Sequence, residues 1–206
     1  GLVGSEMCIR DRLFKHVPRF VTEYGAQAFP KLEHTLEMLP PKLRELIITP
    51  EGFKNYWKVA EKYLAKNHQY QPFFMHRWVN PKKFLNIKDF IEATQDYQAE
   101  LITFYNEYWR SLKYNPCGGA LQFMFTDCAK VVDWSVIDYW REPKKGFYAL
   151  KHTFQPVYVF LDRTKLTFKN MKHQYLTVYI VNDLHKSFEG HLRIVLKYRG
   201  GDERII

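Results

Sequence analysis

The residue types suited to chemistry fall where short apolar runs give way to polar ones. In Arg19-Phe20-Val21-Thr22-Glu23-Tyr24-Gly25, β-branched and aromatic residues lead into a carboxylate, an aromatic and a glycine that ends the run. A carboxylate at the mouth of an apolar strand can serve as nucleophile or proton carrier; its plainer role is a solvated strand end. A second apolar run, Ala120 to Phe125, closes on Thr126 and Asp127. The chain has 8 histidines, yet His68 to His76 and His185 to His191 have no companion carboxylates or thiolates at ligand spacing, so no metal site is expected.

The elements that position these groups follow from periodicity. Residues 19–22 read as a strand, and Lys31 to Met38 as a short helix closed by Pro40 and Pro41. Pro50 opens a second helix with Phe53, Trp57, Ala60 and Leu64 at helical spacing. Residues 66–86 show no clear period and read as a long ordered loop holding His76 and Arg77. From Lys88 to Leu112, Phe90, Thr94, Tyr97, Leu101, Phe104, Tyr105, Tyr108 and Leu112 recur at three and four residues, predicting a helix with one buried stripe. Asn86 and Asp89 resemble its cap. The run 120–125 is too short for a helix and apolar on alternate residues of both parities. That pattern predicts a strand buried on both faces, as in a parallel sheet covered by helices. Strand, helical excursion, strand is a βα crossover, and α/β barrels place their chemistry at the C-terminal ends of such strands.

Beyond Pro156 the texture changes. Val157 to Leu161, Leu166 to Phe168, Tyr175 to Val181 and His191 to Tyr198 are strand-like runs, with turn chemistry at Asn182-Asp183 and Gly190. This predicts the first four strands of a sandwich that needs about seven. The expected class is therefore α/β plus all-β. Residues 13–156 are the C-terminal part of a TIM barrel, namely its seventh and eighth strands with their helices. Residues 157–206 are the N-terminal part of an immunoglobulin-like β-sandwich.

Residues 1–12 stand apart. Leu2 to Arg12 matches the translation of a transposase-type sequencing adaptor, so this stretch is expected to be an artefact, with the natural protein beginning upstream. The net charge of +9 comes from scattered Lys and Arg in runs no longer than two, which favours a solvated surface over a nucleic-acid stripe. No apolar run approaches the roughly 18–20 residues of a membrane span, so no membrane partner is expected. Cys117 and Cys128 flank the 120–125 strand. At about 3.3 Å per residue they lie too far apart for the roughly 7 Å reach of a disulfide.

Two motifs, in this order, resemble β-mannosidase-like members of glycoside hydrolase family 2. Arg19 to Gln27 is similar to the family's nucleophile strand, a Ser/Thr-Glu-aromatic-Gly-x-Gln run. Gly118 to Cys128, followed by Trp134-Ser-Val-Ile-Asp-Tyr139, Pro143-Lys144 and Tyr148 to Lys151, is similar to its eighth-strand pattern. Gln98-Ala99-Glu100 and Glu107-x-Trp109-Arg110 fit the intervening helix. The resemblance covers roughly residues 14–200. It departs at Phe123, where the family has Trp, at Thr126 in place of Asn, and at Ala129-Lys130 in place of Trp-Pro.

The resemblance implies a retaining exo-glycosidase acting on terminal β-linked sugars, β-mannosides first, with no metal or other cofactor. Such enzymes use two carboxyl groups about 5–5.5 Å apart. Glu23 takes the nucleophile position. The acid/base, a Glu preceded by Asn, belongs to an earlier strand and is expected upstream. Asn106-Glu107 matches its letters but follows Glu23 and lies in the helical stripe, so it is a decoy. Candidate sugar contacts are Asp127, Trp134, Phe123, His76 and Arg77, each with a structural alternative in packing or loop stabilisation. The altered eighth strand keeps open β-galactosidase, β-glucuronidase or exo-β-glucosaminidase specificity, and a relative that binds glycans without cleaving them.

Overall fold

The computed structural model describes residues 18–163, 176–197 and 203–205. The stretch 1–12 and the strand expected at Leu166 to Phe168 lie outside them.

Strand β1 (Val21–Tyr24) is followed by α1 (Leu32–Glu37), α2 (Pro41–Ile47), α3 (Pro50–Asn67) and α4 (Pro72–Trp78). A 3-10 turn at Pro81–Lys83 leads into the long helix α5 (Ile87–Ser111) and then β2 (Ala120–Gln122). The crossover returns β2 parallel to β1, as the element order requires. Two differences from the sequence reading have simple causes. Pro41 does not only close α1; it occupies the first turn of α2, where its missing N–H costs nothing. Residues 66–86 are not a loop. Asn67 completes α3 and Pro72 starts α4, a helix of only 7 residues, too short for its period to stand out.

Both long helices start on side-chain caps, of which the one at Asn86 was expected. Thr49 accepts the Gly52 N–H at 3.0 Å, and Asn86 accepts the Asp89 N–H at 2.8 Å. The four apolar positions of α3 (Phe53, Trp57, Ala60 and Leu64) are all buried. They meet Phe29, Tyr70 and Phe90 in an aromatic cluster, in which Phe90 lies 4.9 Å from Trp57 and 5.5 Å from Phe29 between ring centroids. The stripe on α5 is more polar than its period suggests. Phe90, Thr94 and Tyr105 are buried as expected, but so are Gln95, Gln98, Asn106 and Glu107, while Tyr97, Leu101, Phe104, Tyr108 and Leu112 stay half-exposed.

The strand after α5 also departs from expectation. It pairs over three residues only, and Leu121, Phe123 and Phe125 are 55%, 41% and 56% exposed, so it is not buried on both faces within the described residues. An unforeseen helix, α6 (Lys145–Thr153), then packs along α5.

Strands β3 (Val157–Leu161) and β4 (Val178–Asn182) form an antiparallel pair, with Tyr158, Phe160 and Val181 turned inward. Leu184 N–H donates to the Asn182 side chain at 2.9 Å, the turn that Asn182-Asp183 announced. A second pair joins β5 (Val195–Lys197) and β6 (Glu203–Ile205). The first pair is tied to α5 by charge. Arg110 and Lys113 both contact Asp183, Arg163 Nε lies 2.9 Å from Glu107, and the Tyr158 hydroxyl donates to Glu107 at 2.9 Å.

Candidate active site

Glu23 is the third residue of β1 and is half-exposed, between exposed Thr22 and buried Tyr24. Val21 pairs with Ala120 and Tyr24 with Gln122, so three steps on β1 match two on β2. That extra residue is a bulge, which breaks strict alternation and re-aims the side chains beside it. It explains why Val21 and Tyr24, three apart, both point inward. Among the described residues, no hydrogen bond or ion pair engages the Glu23 carboxylate.

The strand end is locked against β2. Phe123 N–H donates to Tyr24 O at 2.8 Å, and a Cβ on Gly25 would stand 2.1 Å from Phe123 O. Gly25 is therefore required by the close passage of two backbones, a firmer reason than the end of an element. The Phe123–Met124 peptide is cis. Phe123 leans on Trp134, with ring centroids 6.0 Å apart, so these two predicted sugar contacts form one aromatic surface at the Glu23 end of the pair.

The chain after Glu23 is buried, held by side chains whose bonds to backbone the sequence reading did not foresee. Gln98 Nε2 donates to Ala26 O at 2.8 Å and Gln95 Nε2 to Phe29 O at 3.0 Å, while Thr94 Oγ1 accepts Phe29 N–H at 3.2 Å. Gln27, 2% exposed, donates to Gln69 O and Val132 O and accepts Gln71 N–H. Buried polar groups of this kind pair with backbone because an unpaired one costs about 1–3 kcal/mol. The available signal was Thr94, Gln95 and Gln98 recurring on the face that α5 buries.

Asp127 lies elsewhere than at an open surface. It is 1% exposed, and its Oδ2 is 3.4 Å from Nζ of Lys144, itself 1% exposed. Burial raises the Asp127 carboxyl above its ordinary range, and Lys144 partly offsets this. Burial likewise lowers the Lys144 ammonium, against the pull of Asp127. Asp133 is raised by the same cause and accepts the Trp134 N–H at 2.8 Å. Asp138, of the Trp-Ser-x-x-Asp-Tyr motif, is buried too. It contacts His34 Nδ1 at 2.7 Å and accepts Glu142 N–H at 2.9 Å, with Trp140 stacked on His34.

His76 and Arg77 sit on α4, not in a loop. His76 Nε2 is 2.8 Å from Glu61 of α3, and the Arg77 guanidinium lies 4.3 Å above the Phe73 ring. The decoy pair is well inside α5: the Asn106 carbonyl accepts from the Tyr24 hydroxyl, its amide donates to Thr153 Oγ1 at 2.7 Å, and Glu107 faces Tyr158 and Arg163. A cavity of about 260 Å³ opens at the far end of the strand pair, among Trp109, Arg110, Lys113 and the Gly118–Gly119 turn.

A half-exposed carboxylate at the C-terminal end of a parallel strand, beside an aromatic surface, sets a context for the comparisons with known proteins. No protein-family model matches the chain. It is 30% identical over 165 residues, 74% of its length, to "Beta-mannosidase B" of Thermothelomyces thermophilus. It is 28% identical over 150 residues, 70% of its length, to "Beta-mannosidase B" of Aspergillus terreus. The chain is β-mannosidase-like. The matched stretch is 18% and 16% of those two proteins, so this β-mannosidase-like chain spans less than a fifth of the relatives it matches. The crystal structure of a β-D-mannosidase from Dictyoglomus thermophilum superimposes on 84% of the chain and 19% of its own, with TM-score 0.54 and 24% identity, a likeness of fold.

Proposed function

We propose that this chain is the nucleophile-bearing part of a retaining exo-glycosidase of glycoside hydrolase family 2, in which Glu23 attacks the anomeric carbon of a terminal β-linked sugar, a β-mannoside first. The observation that carries the reading is the placement of Glu23. It stands at the C-terminal end of β1, beside a bulge, and Gly25 and Phe123 close the backbone around it. A rigid strand end suits a nucleophile because attack tolerates little positional error. The similarity to β-mannosidases supports the same chemistry.

In the proposed reaction a Glu23 carboxylate oxygen bonds to the anomeric carbon as the glycosidic bond breaks. The leaving oxygen takes a proton from an acid/base carboxyl supplied by the remainder of the parent protein. Water then cleaves the glycosyl ester with that residue acting as base. Glu107 is unsuited to be the partner, being 5% exposed and engaged by Tyr158 and Arg163. Phe123 and Trp134 form a wall for the sugar ring. Phe123, Thr126 and Ala129-Lys130 stand where the family pattern has other residues, which favours testing neighbouring sugars alongside mannose.

The test is mechanism-based labelling of the parent protein with 2-deoxy-2-fluoro-β-mannosyl fluoride and its gluco and galacto counterparts. Fluoride departs with the bonding electrons and needs no general acid, so nucleophilicity is read by itself. We expect one ester-linked sugar on the peptide holding Glu23, absent in Glu23→Ala. A label on another carboxylate, or none with any of the three sugars, sinks the assignment.

A further inference from the structure

Lys144 holds a buried charge that the proposed reaction does not use. Four oxygens surround its Nζ: Ala28 O at 3.0 Å, Ser135 Oγ at 3.2 Å, Asp133 O at 3.4 Å and Asp127 Oδ2 at 3.4 Å. The shortest contact is to a main-chain carbonyl, not to the counter-charge, and neither Asp127 oxygen makes a hydrogen bond of good geometry. Asp127 is the nearest counter-charge of this buried ammonium, which also needs hydrogen-bond acceptors for its other protons. Its contacts to Ala28 O and Asp133 O place it across a gap between two stretches of backbone.

Those stretches are the segment just after Glu23 and the loop that carries Trp134. Ala28 N–H meets Asp133 O at 3.2 Å, a single bridge outside any sheet. Lys144, at the start of α6, spans this bridge from one side. Gln98, from α5, spans the same gap two residues nearer to Glu23. Its Nε2 reaches Ala26 O at 2.8 Å, Ser135 O at 3.0 Å and Trp134 O at 3.3 Å. Two buried donors from two helices thus join the same two segments, with Gln27 adding a third link at Val132 O. Apolar residues of equal volume would fill the space and leave Ala26 O and Ala28 O without these donors.

We infer that Lys144 and Gln98 are positioning residues, a paired clamp that sets the Phe123–Trp134 wall at a fixed place relative to Glu23. The inference rests on Glu23 being the nucleophile. The clamp touches neither the carboxylate nor the sugar; it determines where the wall presents the anomeric carbon. A wall displaced by about 1 Å lowers the attack rate by up to about a hundredfold without unfolding the protein.

The experiment separates rate from stability. In the parent protein, Gln98→Leu is compared with Lys144→Met/Asp127→Asn, which removes the buried ammonium together with its nearest carboxylate; Asp127→Asn alone is the control. The probe is the fluoro-sugar fluoride that labels the wild type best. The expected result is a rate constant for labelling lower by about tenfold or more in both clamp variants, with full final labelling of the folded protein and binding of the probe changed much less. In the 206-residue chain, hydrogen exchange is followed in the same variants. Residues 26–29 and 132–136 are expected to lose protection together, while β3 and β4 keep theirs. A wild-type rate constant with reduced final labelling would mean stability only and overturn the clamp, as would protection lost in one segment alone. A wild type that is not labelled at Glu23 removes the nucleophile reading and the catalytic half of this inference with it. The exchange result then still decides whether the two segments are coupled.

Discussion

Replacing Gly25 with alanine tests the joint between the two strands with a single methyl group. That carbon would lie 2.1 Å from the Phe123 carbonyl oxygen, against roughly 3.4 Å for an ordinary contact, so the backbones must part by about 1 Å. The obstacle is main chain and has no rotamer with which to escape. Parting stretches the Phe123 N–H to Tyr24 O bond from 2.8 Å to beyond hydrogen-bond range. Overpacking costs about 1–3 kcal/mol and the lost bond about 0.5–1.5 kcal/mol, which suggests ~2–4 kcal/mol in all. With a urea dependence of about 2 kcal/mol/M, the middle of the usual range, the unfolding midpoint should fall by ~1–2 M. Tryptophan fluorescence during urea titration reads it, since Trp109 packs 4.6 Å from Tyr24 between ring centroids. Gly118→Ala is the control: its Cβ would meet only Arg19 O, at 3.4 Å, and should change stability by less than about 0.5 kcal/mol. If the two variants unfold alike, the close passage does not constrain the strand pair and the account of Gly25 is wrong.

Other expectations follow from the same contacts. Phe90→Ala, at a fully buried ring touching Phe29, Phe53, Trp57 and Phe84, should cost about 3–5 kcal/mol by urea unfolding, whereas Leu85→Ala, 81% exposed, should be close to neutral. Asn106→Leu strands the buried Tyr24 hydroxyl and should cost about 1–3 kcal/mol, most of it recovered by adding Tyr24→Phe. Burial raises the Glu107 carboxyl, with Tyr158 and Arg163 partly opposing. Its native form therefore holds a proton more readily than the unfolded chain, and its contribution declines as pH rises from the ordinary carboxylate range towards the raised value. Urea midpoints measured between pH 4 and 7 should fall less steeply for Glu107→Gln than for wild type; parallel profiles would contradict this. In a Cys8→Ser background, Cys128, which is exposed, should react with a disulfide reagent much faster than Cys117, which is buried and whose thiol burial raises.

Legibility in the sequence tracked how local each cause is. Caps, proline starts and the apolar period of α3 depend on neighbours within a turn, and they were readable at Asn86 and Pro50. The parallel return of β2 followed from element order. Helix α4 escaped because 7 residues give too few repeats to show a period. The inward polar face of α5 escaped for a different reason: Gln95 and Gln98 bond to carbonyls about 70 residues away, and a hydropathy pattern counts a buried glutamine as surface. Asp127 was readable as a strand-end carboxylate but not as the neighbour of Lys144, 17 positions on, because that meeting depends on how the intervening loop folds back. Glu23 was singled out by type and place, whereas the bulge beside it shows only in the strand register.

The pairing of Val21 with Ala120 also bears on the order of assembly. Nearly the whole described helical region lies inside that loop, so the entropy of closing it must be met before the strands gain anything from one another. The contact of Phe29 with Phe90 closes a shorter loop, which lowers the remaining cost when it forms first. We therefore expect the Glu23 end to be completed late, after the aromatic cluster. In pulse-labelled refolding the Phe123 amide should gain protection after the amides of α5, and the reverse order would contradict it. A newly made chain would then spend its early life with its helices in place and its candidate site not yet built.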